Sequence, residues 1–513
     1  MSVTPTSEIT ATINSPMPQA SSSNKAIGDS LLTGIVFALA MTVGQRAIGF
    51  IRGVMFGRLM TDQELGQWSM AWGFLMLIPP LAMLGLTGCF GKFTEHFRQS
   101  GSVRQFVGRI GTVNLISMTV VIGTLLSLPN WLAPYLFRGP QDGGLVVCLA
   151  ISLIGVAGFN FTTSLLESLR LVRIVSWIRF ITAVSFAVIG CWAIWYFENS
   201  ANAAVLTFGF CSLLGMIPAI WLVGNHWQLL RDPDSQQLRH QEMWKKILPF
   251  AGWIWASNLL INSIEIADRY MLLQWSDASV DWVQGQVGQY HSSRMIPLLM
   301  NSLAVMVAGI LFPYLSQLWE ADRRNEAGRQ LNLTYKLTGL SFILGSSIAL
   351  VAAPFFFDVL MGGKYQDGLR IFPLTMVLFV WFSLTTVGQD YLWVAERGRL
   401  VSFALVGCLL TNIGLNWCLI PIWGLDGAVT ATAISNLILI ATILVMNQLN
   451  GCPNDIGMWL ILILPLALLL PAWTALAVMV PVGLTACYTQ LIFSEEEKRL
   501  MVTEIANRLS RRE

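Results

Sequence analysis

Apolar runs of about 20 residues recur from Leu31 to Phe493 with only short polar breaks, and no other feature constrains the fold as much. A helix of that length crosses a hydrocarbon core about 30 Å thick. Backbone groups in lipid must be satisfied within the segment, so each run reads as a helix. Only 12% of the 513 residues are charged, against roughly 25% in soluble domains. No polar stretch is long enough to form a soluble domain. The chain is therefore expected to be an all-α polytopic membrane protein.

The runs predict about 14 transmembrane helices. They fall near Leu31–Phe50, Trp68–Phe90, Phe106–Leu128, Gly144–Leu166, Ile174–Tyr196, Ala203–His226 and Ile247–Trp275, then Val287–Leu311, Leu333–Leu360, Ile371–Tyr391, Leu400–Ile420 and Gly427–Asn447. Pro465, Pro471 and Pro481 interrupt the remaining stretch, read as Met458–Trp473 and Thr474–Phe493. Basic residues gather in alternate connections. One side holds Lys92, Arg98, Arg104 and Arg109, then Arg170, Arg173 and Arg179, then Arg231, Arg239, Lys245 and Lys246. The same side continues with Arg323, Arg324, Arg329 and Lys336, then Arg397 and Arg399, then Lys498, Arg499, Arg508, Arg511 and Arg512. The opposite side holds only Arg52, Arg58, Arg138, Lys364 and Arg370. Cytoplasmic loops attract Lys and Arg, so both termini are expected in the cytoplasm. Trp68, Trp131, Trp177, Trp275, Trp282 and Trp423 are expected to form the interfacial aromatic belt.

The two halves repeat at an offset of about 222 to 225 residues. Gly66-Gln67-Trp68 corresponds to Gly288-Gln289-Tyr290, Phe90 to Phe312, Gln141-Asp142-Gly143 to Gln366-Asp367-Gly368, and Ala203-Ala204-Val205 to Gly427-Ala428-Val429. An even number of helices per repeat gives both halves the same polarity, so the pseudo-symmetry axis runs along the membrane normal. The expected architecture is two pseudo-symmetric six-helix lobes, 31–226 and 247–447, around a central cleft, joined by a cytoplasmic linker at 227–246. Two additional transmembrane helices follow at 448–493. Residues 1–30, rich in Ser, Thr, Pro and Asn, read as a disordered cytoplasmic tail. Residues 494–513 read as an amphipathic tail helix opened by the Ser494/Glu497 capping-box spacing.

Catalytic signals are missing from the sequence. The histidines, His96, His226, His240 and His291, lack metal-ligand spacing, and no Gly-rich phosphate loop is followed by Lys. Cys89, Cys148, Cys191, Cys211, Cys408, Cys418 and Cys487 lie in or beside apolar runs and read as small lipid-compatible side chains, and Cys452 stands alone. No enzyme activity, cofactor, metal or nucleic-acid partner is expected.

Three stretches resemble the polysaccharide flippase branch of the multidrug/oligosaccharidyl-lipid/polysaccharide (MOP) transporter superfamily. They are Arg46-Ala47-Ile48-Gly49-Phe50 with Gly57-Arg58-Leu59 and Glu64-Leu65-Gly66, Asp268-Arg269-Tyr270-Met271-Leu272 with Val287-Gly288-Gln289-Tyr290, and Pro421-Ile422-Trp423-Gly424-Leu425-Asp426-Gly427-Ala428 with Ala431-Thr432. The resemblance implies a bacterial inner-membrane protein that moves an undecaprenyl-pyrophosphate-linked oligosaccharide to the periplasmic leaflet, with membrane lipid and the lipid-linked glycan as partners.

Ionisable residues inside spans cost roughly 2.5–3.5 kcal/mol each on insertion scales, so they usually face a cavity or a partner. Arg46, Arg52, Arg269 and Arg294 are the candidate contacts for a pyrophosphate, which guanidinium groups bind bidentately. Arg58 is a weaker candidate that could snorkel to headgroups. Glu265 and Asp268 are candidates for a coupling proton or sodium ion, although Glu265 and Arg269 are spaced to pair along one helix. Asp390 is expected to anchor Arg397 or Arg399. Two other classes compete with the flippase. A drug or cation antiporter would need carboxylates in the cleft, where the first helix is basic. A glycan polymerase or ligase would commonly need a large outer loop, and the longest outer connections, Asp277–Gln286 and Pro129–Gly143, are short.

Overall fold

The computed structural model describes residues 31–139, 143–197, 200–227, 239–276 and 278–499. The tail before Leu31, the middle of the expected linker, Gln141 and Asp142 of the repeat and all but the first turns of the tail helix lie outside them. Every regular element among the described residues is helical. The first half holds α1 (Leu31–Leu59), α2 (Asp62–Ala82), α3 (Cys89–Gln99), α4 (Val103–Ser127), α5 (Pro129–Phe137), α6 (Gly143–Ser168), α7 (Val172–Tyr196) and α8 (Ser200–Trp227). The second holds α9 (His240–Trp275), α10 (Val280–Glu320), α11 (Arg324–Pro354), α12 (Gln366–Gly388), α13 (Asp390–Val394), α14 (Gly398–Leu449), α15 (Ile456–Ile463) and α16 (Ala472–Tyr488). Among the described residues, nine helices are long and apolar enough to cross a membrane, and a bent pair makes a tenth.

Three departures from the expected spans have local causes. The Trp68–Phe90 run is not one straight helix: α2 ends at Ala82, and the helix from Leu86 leaves at 69°. Pro79 and Pro80 lack amide donors, and Leu84 and Gly85 adopt φ of 53° and 68°. A Cβ on Gly85 would lie 2.4 Å from the Ala251 carbonyl oxygen, so the bend is where α9 packs against the turn. Next, α14 holds two expected spans in one 52-residue element, because the chain reverses at Gly424 (φ 54°, ψ −123°). Its halves run antiparallel: Asn412 Nδ2 donates to Thr432 Oγ1 at 3.0 Å, and Cys408 Sγ lies 3.5 Å from the Ser435 carbonyl oxygen. Last, the terminal stretch forms two shorter helices. The first tightens into a 3₁₀ segment over Leu464–Leu469 and stops before Pro471.

Helices α1, α6, α7 and α8 pack around one another, with α4 on α6, while α9, α10, α11, α12 and α14 form a second group on which α15 and α16 dock. The groups meet mainly where α2 crosses α10 and α9. At that crossing a Cβ on Gly66 would lie 1.8 Å from the Gln284 carbonyl oxygen, and one on Gly288 would lie 1.9 Å from the Asp62 carbonyl oxygen. Residues 62 and 66 thus touch 284 and 288, their own counterparts in the repeat. Reciprocal contact of equivalent residues is the mark of a two-fold axis, which passes between these glycines. Around it Gln63 Nε2 donates to Asp281 Oδ1 (2.9 Å) and Gln67 Nε2 to Gln284 Oε1 (3.0 Å). Arg138 Nη1 donates to the Leu273 carbonyl (3.0 Å), and Tyr365 Oη to the Gly57 carbonyl (2.9 Å). This is the end of the bundle poor in Lys and Arg, and it is sealed. At the opposite, basic end the groups meet through α3 and the start of α9. There the Phe93 and Phe250 rings are 5.5 Å apart, and Lys246 Nζ lies 2.8 Å from His96 Nε2.

A second fixture holds the terminal helices. Lys336 of α11 is fully buried, and its ammonium pairs with Asp455 and, at 2.8 Å, with Glu497 Oε2. Each carboxylate also caps a helix: Asp455 Oδ1 accepts from Met458 N (3.1 Å), and Glu497 Oε2 accepts from Ser494 N (2.8 Å). The expected Ser494/Glu497 capping box is present, closed by Glu497 N donating to Ser494 Oγ at 3.3 Å.

Two predictions follow from these fixtures. Gly66→Leu cannot keep the α2–α10 crossing, so a cysteine at Gln67 in a cysteine-free background should react faster with an impermeant maleimide from the Lys/Arg-poor side; unchanged labelling would contradict the seal. Lys336→Met leaves two carboxylates without their cation and should cost about 3–5 kcal/mol, read as a lower melting temperature in detergent. Adding Asp455→Asn and Glu497→Gln should recover most of that loss, and a single variant that melts like the parent would refute the clamp.

Candidate functional site

One turn inward from the glycine crossing, the seam between the groups becomes polar. Ser69 of α2 and His291 of α10, again counterparts in the repeat, meet with Oγ and Nδ1 3.1 Å apart. From α9, whose residues 265 and 269 share a face, Arg269 reaches into this seam. Its Nη1 donates to the Ser69 carbonyl (3.2 Å) and Oγ (3.0 Å), and its Nη2 to the Glu265 carbonyl (3.0 Å). Gly73 lets α9 approach closely beside it, since a Cβ there would lie 3.1 Å from Ile266 Cγ2. Only 4% of Arg269 is exposed, and its Nε has no acceptor.

Arg294, one turn along α10 from Tyr290, sits between the Tyr290 and Phe379 rings at 5.3 and 5.5 Å. Its Nη2 lies 3.6 Å from Glu265 Oε1, and its Nε is also without an acceptor. The pairing expected along α9 is therefore replaced. Glu265 gives Arg269 its carbonyl and turns its half-exposed carboxylate to Arg294, because α10 presents a cation on the same side. Asp268 is buried on another face. Its Oδ2 accepts from Tyr290 Oη at 2.6 Å and lies 3.5 Å from Thr432 Oγ1, while Oδ1 accepts the Arg269 amide at 2.7 Å. Behind Thr432, Asn416 Nδ2 donates to Asn412 Oδ1 at 3.0 Å, and Asn416 Oδ1 has no partner.

The arginines of α1 are placed differently. Arg52 is half-buried, with its guanidinium 4.4 Å from the Phe186 ring, 5.6 Å from Trp72 and 5.8 Å from Phe56. Such a cage holds a cation without neutralising it. Trp68 is buried behind the cage, edge-on to Phe56, and is not part of the interfacial belt; Trp131, Trp177, Trp275, Trp282 and Trp423 are exposed. His291 lies within electrostatic reach of Arg52, Arg269 and Arg294 together. Arg46, about 9 Å back along α1 from Arg52, is exposed and forms no hydrogen bond or ion pair among the described residues. Arg58 is exposed and contributes only its carbonyl, which accepts from Lys364 Nζ at 2.9 Å.

The structure thus brings Arg269, Arg294, Glu265 and Asp268 into one network, sets Arg52 beside it, and leaves Arg46 apart. Three guanidinium groups face two carboxylates there, an excess of positive charge in a low-dielectric setting that favours an anion. Ser69, Tyr290, Thr432, Asn412 and Asn416 complete the network; Tyr290 and Thr432 stood in the sequence only as members of family-like stretches, and the other three were not singled out. Their signal was faint: neutral polar residues within apolar runs, with the Asn412/Asn416 i, i+4 spacing the clearest part of it. Asp390 does not anchor Arg397 or Arg399. It opens α13 as a buried residue with an unpartnered Oδ2, while both arginines lie beyond α13 on the surface. Among the described residues no group of three His, Cys, Asp or Glu side chains could hold a metal ion.

The model of the family described as polysaccharide biosynthesis protein matches residues 31–319, more than half of the chain. The uncharacterized membrane protein YabM of Bacillus subtilis (strain 168) is 26% identical over 235 residues, covering 44% of this chain and 43% of that protein. The match thus spans less than half of that relative's length. Among solved structures, lipid II flippase MurJ in an inward closed conformation is similar with a TM-score of 0.64 and 13% identity, over 88% of this chain and 98% of that one. An inward-facing multidrug resistance MATE family transporter of the MOP superfamily is similar with a TM-score of 0.59 and 12% identity, over 81% and 98%. A MOP superfamily transporter from Pyrococcus furiosus, described as having a binding pocket of reverse polarity, is similar with a TM-score of 0.57 and 14% identity, over 83% and 96%. The chain therefore belongs to the polysaccharide biosynthesis protein family and has the multi-pass membrane fold of the MOP transporters.

Proposed function

We propose that this protein is a flippase for an anionic lipid-linked oligosaccharide, an undecaprenyl-pyrophosphate glycan, moved from the cytoplasmic leaflet of a bacterial inner membrane by alternating access. Its basic face, with both termini, lies in the cytoplasm. The observation that carries the reading is positive charge left uncompensated at three arginines. Arg46 is exposed and without an ion pair, Arg52 is held only by aromatic rings, and Arg294 has a single long contact to Glu265. A pyrophosphate entering from the basic end would meet Arg46, then Arg52, then Arg294, each with donors to give. Arg269 is already committed to Ser69 and Glu265, so it positions the seam and does not bind cargo directly. The family's description and the flippase among the structural neighbours agree with this cargo class. A cationic drug would find both carboxylates of the seam occupied.

The coupling ion is assigned to Asp268 in preference to Glu265. Glu265 is paired with Arg294, whereas Asp268 is buried beside the oxygens of Tyr290 and Thr432, with Asn412 and Asn416 behind. A proton or a sodium ion suits that oxygen-rich setting.

Two experiments test these assignments. Arg46→Gln with Arg52→Gln, expressed at the parent level in a deletion strain, should lower glycan export by about tenfold or more, as loss of two charge-assisted contacts requires, and lipid-linked glycan should build up on the cytoplasmic leaflet. Full export by that double variant would overturn the cargo reading. Asp268→Asn should abolish the dependence of transport in proteoliposomes on a sodium or proton gradient. If the ion dependence survived unchanged, Asp268 would not be the coupling site.

A further inference from the structure

A cavity of about 620 Å³ lies within the first helix group, away from the charged seam, between α4, α6 and α8. Asn114, Met118 and Gly123 of α4, Phe161 of α6 and Met216 of α8 line it. The lining follows α4 from Gly111 to Leu126, roughly 22 Å of helix. A long apolar slot of this kind suits an extended hydrocarbon chain and offers a hydrated sugar few polar partners. Leu115, Ile154 and Leu126 line the slot and are 69%, 50% and 46% exposed, so it opens sideways along α4.

The walls are largely apolar: the hydroxyls of Thr119 and Thr162 donate back to the Leu115 and Gly158 carbonyls of their own helices, which leaves Asn114 as the polar side chain without a partner. That side chain is 4% exposed, yet neither its Nδ2 nor its Oδ1 has a partner. A buried amide without partners is costly, and turning about its last side-chain bond would bring its donor and acceptor side by side to the slot. A hydroxyl or a protonated carboxylic acid satisfies both atoms at once. A phosphate or a quaternary ammonium does not, and its charge would be poorly tolerated in the slot.

We propose that this slot is a binding site for a single-chain membrane amphiphile, a long-chain fatty alcohol or protonated fatty acid, whose chain lies along α4 and whose end group pairs with Asn114. The site is separate from the seam and does not rest on the flippase reading.

The test uses the full chain in nanodiscs with a fatty alcohol carrying a mid-chain diazirine. Photolabelling should concentrate on peptides of α4 and α6. Gly123→Phe fills the slot, since a Cβ at Gly123 meets nothing within 4 Å, and should cut labelling at least about fivefold. Asn114→Leu should cut it as much while holding or raising the melting temperature, because it removes an unsatisfied amide. Labelling spread evenly over all lipid-facing helices would overturn the proposal. So would Asn114→Leu lowering the melting temperature with labelling intact, which would mark Asn114 as a structural residue.

Discussion

The backbone-to-backbone contact of α2 and α10 fixes the register of everything at the seam. In lipid there is no hydrophobic force between helices, so close approach depends on small residues and on polar groups that find partners across the interface. Gly66 and Gly288 supply the approach, and reciprocal contacts to Gln284 and Asp62 set the axis. One turn further along each helix the same axis brings Ser69 to His291, and Arg269 of α9 bonds to Ser69 there. A side chain at either glycine would move all of these together.

Two kinds of buried charge coexist in this fold, and their bookkeeping differs. Lys336 is over-matched: two carboxylates surround it, each also serving as a helix cap, so the cluster has no reason to exchange partners. The seam is under-matched, with Arg52, Arg269 and Arg294 against Glu265 and Asp268, and with Nε atoms of two arginines lacking acceptors. A buried ion pair by itself says little about function, since desolvation can cancel its attraction. An unbalanced set is different, because it gains stability only when an anion arrives.

Much of this was legible in the sequence because it depends on length and repetition. The apolar runs gave the spans, and the Gly66-Gln67/Gly288-Gln289 correspondence gave the duplication, although not that these residues meet at its axis. What was illegible depended on a neighbour from elsewhere in the chain. Lys336 counted as one more basic loop residue until α15 and the terminal turn supplied its carboxylates. The i, i+4 spacing of Glu265 and Arg269 suggested a pair, but Arg294 on α10 took the carboxylate. Trp68 read as an interfacial ring because its run began there, whereas α1 extends to Leu59 and buries it against Phe56. The bend after Ala82 was missed in the sequence although Pro79 and Pro80 precede it, and it lies where α9 packs against Gly85.

The two ends of the seam suggest how alternation could begin. At the Lys/Arg-poor end the contacts are glycine crossings and hydrogen bonds from Gln63, Gln67, Arg138 and Tyr365 to groups that water could satisfy equally well. Opening there would exchange protein partners for water at little net cost per bond. At the basic end the joint is largely apolar, with Phe93 against Phe250 and Lys92 over the Phe250 ring at 4.3 Å. Exposing it to lipid would cost little, but exposing it to water would not. Between them, Arg269 ties α9 to α2 and would have to yield or travel with α2 if the helix groups rocked apart. Under the proposed reading, an anion drawn to Arg294 would compete for its guanidinium with Glu265, whose carbonyl also holds Arg269. Cargo binding and loosening of the seam would then be one event, driven by the same missing negative charge.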